Sequence, residues 1–221
     1  MNWQWSATAA MAMAMGVMLN GCAGQRPIES IRESGDFKFT LGHYAAAADE
    51  YQEIADRHPG DWPAQYRLGQ CRLRTSEYQQ ARRALEIAYS HRPNDEAIAL
   101  TLAESMFQLG DENELYAFLR QRAAQTQSTR VHMEMSRYAA ALGDNDTAKT
   151  AIETAIQLDN GLSVEPYLQA ASQAQAIGDI ELAVLRLRQA YGIDMQNELV
   201  KQRLRELGEI PGPTIALEPG R

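Results

Sequence analysis

Cysteine is nearly missing from this sequence: Cys22 and Cys71 are the two in 221 residues, so no disulfide framework holds the fold together. Basic clusters are missing as well. The formal charge is −8 and no stretch gathers Lys and Arg, which excludes the positive face that a nucleic-acid backbone demands. Runs of β-branched residues are scarce while Ala, Leu, Gln, Arg and Glu dominate, a balance that favours helices. The apolar or small run from Ala7 to Leu19 covers about thirteen residues, too short to cross a bilayer as a helix. Catalytic signatures are absent too: no Gly-rich phosphate loop, no nucleophile elbow, no pair of His or Cys at zinc spacing. Of the four histidines, His58 and His91 precede a proline at a helix end, where an imidazole faces the negative end of the helix dipole. His43 belongs to a turn and His132 to a helix–helix packing position. No enzyme activity, metal or cofactor is expected.

What the sequence does contain is a repeat. Trp62 to Asp95 reads as two helices joined by a tight turn. Asp61 can accept the free N–H groups of a helix start, and Pro63 sits in the first turn, where its missing N–H costs nothing. That helix runs to about Arg74. Ser76, with Gln79 three residues on, reads as a capping box that opens the second helix. There Tyr78, Ala81, Leu85 and Ala88 share one face at spacings of three and four, and Pro93 stops the helix. The pattern returns along the chain: Ala47 to Ala81 and Pro59 to Pro93 are each 34 residues apart. The turn residue recurs as Gly42, Ser76, Gly110, Gly143 and Gly178. The small residue of the second helix recurs as Ala47, Ala81, Leu115, Ala148 and Ala183, and the bulky one after it as Tyr51, Leu85, Leu119, Ile152 and Leu187. In the third copy Leu115 replaces the small residue and Gln127 stands where proline would fall, so its second helix is expected to pack loosely or to be shifted.

This register resembles the tetratricopeptide-repeat (TPR) family. The resemblance implies an all-α, right-handed α-solenoid of about five helix–turn–helix repeats. They span 28–61, with a degenerate first helix around Ser34-Gly35-Asp36; 62–95; 96–128, degenerate; 129–163; and 164–197. One repeat cannot bury its apolar face alone, so neighbours must stack. Small residues such as Gly69, Ala81, Ala148 and Ala183 let helices approach, while Leu68, Leu85, Leu102, Ile152 and Leu187 fill the space between them. Cys71 reads as a buried small hydrophobe. Residues 198–207, with Leu199, Val200, Leu204 and Leu207, read as a capping helix. Residues 208–221, with three prolines and no helical period, read as an extended, mobile tail.

Residues 1–21 have the apolar core of a secretory signal. They end in Leu19-Asn20-Gly21-Cys22, which resembles the lipobox of bacterial lipoproteins: an aliphatic residue at −3, a small one at −1, then the cysteine. That resemblance implies a lipid on Cys22, a polar linker over 22–27, and anchoring to the outer membrane on its periplasmic face, because Ala23 rather than aspartate follows. The alternatives are an ordinary signal or an uncleaved anchor.

The TPR resemblance also implies where a partner sits. First helices of the family line a concave surface, and positions 2, 5, 9, 12 and 13 of each repeat face a bound peptide. Here position 5 is Arg32, Tyr66, Leu100, Met133 and Leu168; position 9 is Asp36, Gln70, Glu104, Arg137 and Ser172; position 12 is Phe39, Leu73, Phe107, Ala140 and Gln175. The expected partner-binding set is Tyr66, Gln70, Leu73, Leu100, Glu104, Phe107, Met133, Arg137 and Leu168. Tyr66, Leu73, Leu100, Phe107 and Met133 would form an apolar stripe through the groove, with Leu73 and Leu100 serving equally well as packing between helices. The asparagine and lysine or arginine clamp that some members close on a terminal carboxylate is not reproduced. The expectation is a non-catalytic scaffold lipoprotein that binds a protein or peptide at the bacterial envelope, in envelope or pilus assembly. The alternatives are a structural adaptor for cell-wall enzymes and a self-associating module without a lipid anchor.

Overall fold

The computed structural model describes residues 25–220, so the signal segment and Cys22 lie outside the described residues. Among those described are eleven α-helices, one 3-10 turn and no strand. The helices pair in chain order: α1 (Ile28–Thr40) with α2 (Tyr44–Arg57), α3 (Trp62–Arg74) with α4 (Tyr78–His91), and α5 (Glu96–Leu109) with α6 (Glu112–Thr126). α7 (Thr129–Ala141) then pairs with α8 (Asn145–Asp159) and α9 (Glu165–Ala176) with α10 (Ile180–Ile193), and α11 (Glu198–Glu206) closes the row. Each hairpin stacks on the next, which makes the all-α solenoid that the sequence led us to expect.

The same turn joins the helices of every hairpin. Gly42, Ser76, Gly110, Gly143 and Gly178 all take the left-handed conformation, with φ between 63° and 81°. The next residue's N–H then closes back on a carbonyl five residues earlier: His43 on Lys38, Glu77 on Arg72, Asp111 on Met106, Asp144 on Ala139 and Asp179 on Ala174. Four of the five are glycine because a side chain strains at this φ. Ser76 occupies that slot itself, so the expected capping box with Gln79 does not form, and Glu77 precedes α4 without a side-chain cap. Asp144 and Asp179 do cap, accepting from the Thr147 and Leu182 N–H groups at 3.1 and 3.0 Å.

The core is a continuous row of apolar clusters between neighbouring hairpins. Ala47, Ala81, Leu115 and Ala183 are fully buried, as are Tyr51, Leu85, Leu119 and Leu187, and Cys71 is buried among them. α1 is a regular helix despite Ser34-Gly35-Asp36: Gly35 lies under the Tyr51 ring, and the Tyr51 hydroxyl donates to Asp36 at 2.6 Å. Repeat three is where the stack loosens. α5 and α6 approach each other less closely along their length than the two helices of any other hairpin. Leu115 stands where Ala47 and Ala81 stand elsewhere, and the buried Arg122 stands 34 residues after Ala88; both hold α6 off. Arg122 donates to the Pro93 carbonyl at 2.7 Å, while its Nε and other terminal nitrogen have no partner.

Both ends of the described residues are tied down. Arg26, in the expected linker, pairs with Glu50 at 2.9 Å and with Glu53, and its carbonyl accepts from Arg57. α11 seals the last hairpin with Val200 and Leu204, both fully buried, although Leu199 faces solvent at 52% exposure. The tail is extended but not loose. The Leu217 N–H donates to the Arg188 carbonyl at 3.1 Å, Arg188 Nε donates to the Ile215 carbonyl at 2.8 Å, and Ile215 and Ala216 pack on the terminal core. Gly192 on α10 permits this, since a Cβ there would lie 1.9 Å from the Leu217 oxygen.

Candidate partner-binding groove

The repeat places the first helices α1, α3, α5 and α7 side by side in one register. Side chains 33 to 35 residues apart therefore touch across the row: the Tyr66 hydroxyl lies 3.4 Å from Thr101 Oγ1, and Arg137 lies 2.9 Å from Glu104. Between these helices runs a cleft of about 610 Å³. α3 contributes Tyr66, Gln70, Leu73 and Arg74; α5 contributes Ala97, Leu100, Thr101, Glu104 and Gln108; α7 contributes Arg130, Glu134, Arg137 and Tyr138. Phe39 of α1 and Tyr78 of α4 complete the wall.

A hydrogen-bonded charge cluster stands at its centre. Arg137 pairs with Glu104 at 2.9 Å and with Glu134 at 2.7 Å, and Glu104 also accepts from the Tyr138 hydroxyl at 3.0 Å and from Gln108 at 2.7 Å. Burial pushes the Glu104 carboxyl upward, but the bonds from Gln108, Arg137 and Tyr138 outweigh it and hold the group below the ordinary carboxylate value. Burial, then the Glu104 charge, pushes the Tyr138 hydroxyl far above the tyrosine range, so it stays protonated and donates. Cys71, on the buried side of α3, is shielded from solvent, and burial pushes its thiol up to about 12.

Six of the nine expected partner residues line this cleft: Tyr66, Gln70, Leu73, Leu100, Glu104 and Arg137. Phe107 does not. It is stacked against Tyr138 with ring centroids 4.8 Å apart and packs on the core of repeats two to four. Met133 and Leu168 are also displaced, packing against the core of the C-terminal repeats. Leu100 is only 8% exposed. The apolar stripe is thus broken by the Glu104–Arg137–Tyr138 cluster: Tyr66, Leu73 and the edge of Leu100 face the cleft, while Phe107 and Met133 turn into the seams between helices as the hairpins stack. Arg74, Ala97, Gln108 and Arg130 were not singled out from the sequence, yet they stand at positions 13 and 2 of their repeats, so the same spacing would have found them. Tyr78, on a second helix, carries no such signal.

A second hollow, of about 300 Å³, lies between the fourth and fifth hairpins and is walled mainly by Ala148, Ile152, Ala170, Ala174, Ile177 and Leu182. Beside it the buried Ser136 hydroxyl donates to the Ala148 carbonyl at 2.7 Å and accepts from Gln173 at 2.7 Å.

A tetratricopeptide-repeat model matches residues 39–88. A comparison with curated proteins finds no sequence match. In fold the chain is similar to the crystal structure of a thermophilic TPR protein in Thermus thermophilus, at 17% identity and TM-score 0.55, over 82% of this chain and 98% of that one. It is similar to a tetratricopeptide repeat protein from Parabacteroides merdae at 16% identity and TM-score 0.61, over 83% of this chain and 72% of that one. MamA from Desulfovibrio magneticus also resembles it, at 13% identity and TM-score 0.61, over 77% of this chain and 97% of that one. The fold is therefore a TPR solenoid.

Proposed function

We propose that this protein is a non-catalytic scaffold that holds an extended segment of a partner protein in the cleft between α3, α5 and α7, and that a lipid on Cys22 keeps the scaffold at the bacterial cell envelope. The observation that carries the first half is the cleft itself. Three consecutive repeats present polar and apolar side chains to one open hollow, with backbone groups satisfied inside the helices and side chains left to make contact. The second half rests on the Leu19-Asn20-Gly21-Cys22 sequence. A place in envelope or pilus assembly belongs to the same reading, and it rests on architecture alone.

A photo-crosslinking residue placed at Tyr66 tests the groove in cells. The expected result is a crosslinked partner that is not captured from the exposed Leu199 on α11, and that disappears when Gln70 and Leu73 are both changed to Ala while the helical circular dichroism is kept. Equal capture from Tyr66 and Leu199, or capture indifferent to Gln70 and Leu73, would remove the groove from the account.

A further inference from the structure

The charges of the cleft are unevenly engaged, and this points to the chemistry of what it holds. Its lining carries three guanidinium groups, Arg74, Arg130 and Arg137, and two carboxylates, Glu104 and Glu134. Both carboxylates are turned onto Arg137, and Glu104 accepts from Gln108 and Tyr138 as well. Among the described residues Arg74 and Arg130 make no ion pair. Both are exposed, and Arg74 meets only the Tyr44 ring, at 5.9 Å. The two stand at opposite corners: Arg74 on the last turn of α3, Arg130 on the first turn of α7, two repeats further on. The centre between them is a satisfied cluster with one net negative charge, beside Tyr66, Leu73 and the edge of Leu100. In a chain of formal charge −8, a cleft lined by three guanidinium groups against two carboxylates is locally positive by one.

Resting on the reading of the cleft as a partner site, we propose that its occupant is an extended segment with an acidic residue at each end and an uncharged, partly apolar middle. The end carboxylates accept from Arg74 and Arg130, in the fork geometry that guanidinium groups offer. The middle lies over Tyr66 and Leu73, where the Glu104–Arg137–Glu134 cluster disfavours a further acid. Eleven helical positions along the axis amount to roughly 16 Å, and two steps between helices add roughly 20 Å across it, so the diagonal is roughly 25 Å. An extended chain covers that in about seven or eight residues.

The test is a selection of random twelve-residue peptides displayed on phage against the immobilised full chain. The expected winners carry Asp or Glu at two positions about seven residues apart and lack them between. A synthetic winner should bind about tenfold or more weakly to the Arg74→Glu/Arg130→Glu variant, regain affinity when its acids are replaced by Lys, and weaken as salt rises. Winners without that pattern, or affinity unchanged in the variant, overturn the proposal. Tyr66→Ala separates the two levels. Peptides lost with Tyr66→Ala but indifferent to both arginines leave the cleft as the site and remove the acidic occupant, whereas a selection yielding no peptide sensitive to either set overturns both.

Discussion

At Gly69 the absence of a methyl group sets how close α3 and α4 can lie. A Cβ there would be 2.5 Å from Leu85 Cγ and 2.8 Å from Cδ2, and Leu85 is fully buried. Alanine would gain about 1 kcal/mol in helix propensity but force Leu85 off its rotamer, and overpacking of this kind costs about 1–3 kcal/mol. We expect Gly69→Ala to lower stability by about 1–2 kcal/mol in urea unfolding. In a Leu85→Ala background the sign should reverse, because the clash is gone and only the propensity gain is left. Gly35 has the same role against Tyr51, at 3.0 Å. This is why Ser34-Gly35-Asp36, read along the sequence as a weakness in the first helix, is a close-packing contact in the fold.

Among the elements, the tail departs most from its sequence reading, while α6 packs loosely, as its sequence led us to expect. The tail has prolines and no period, yet it lies along α10 because Gly192 leaves its backbone room. Gly192→Ala would place a carbon against the Leu217 carbonyl and lift the strap. The expected outcome is rapid hydrogen exchange at the Leu217 N–H and new protease sites between residues 209 and 220, with a loss of about 1–3 kcal/mol. In a chain ending at Gly208 the same substitution should instead stabilise α10 by about 1 kcal/mol, since only helix propensity remains. α6 packs loosely because Leu115 fills a position that is alanine in the other four repeats and Arg122 one that is isoleucine or alanine elsewhere, and the added volume goes into distance between helices.

For the molecule as a whole, the solenoid fixes which surface is presented and the proposed lipid fixes where. On that proposal, Cys22→Ala should move the protein from the membrane fraction to the soluble fraction without altering the helical circular dichroism signal. Retention in membranes would remove the anchor while leaving the groove untouched. The groove and the anchor are thus separable: one depends on stacking across three repeats, the other on a cysteine before the first helix.

Much of this was legible without coordinates. The 34-residue register assigned the hairpins, their turn residues and the buried small and bulky positions, because each depends on spacing within one helical pair that the chain repeats. Six of the nine residues expected in the groove line it. What the register could not settle is how side chains divide between the open cleft and the seams, because that choice depends on the neighbouring repeat. Phe107 turns onto Tyr138, Met133 and Leu168 onto the C-terminal core, and Arg137 onto two glutamates. The docked tail, and which of the cleft's charges are paired, were beyond its reach for the same reason. They arise from contacts between residues far apart in sequence, and only tertiary stacking brings those together.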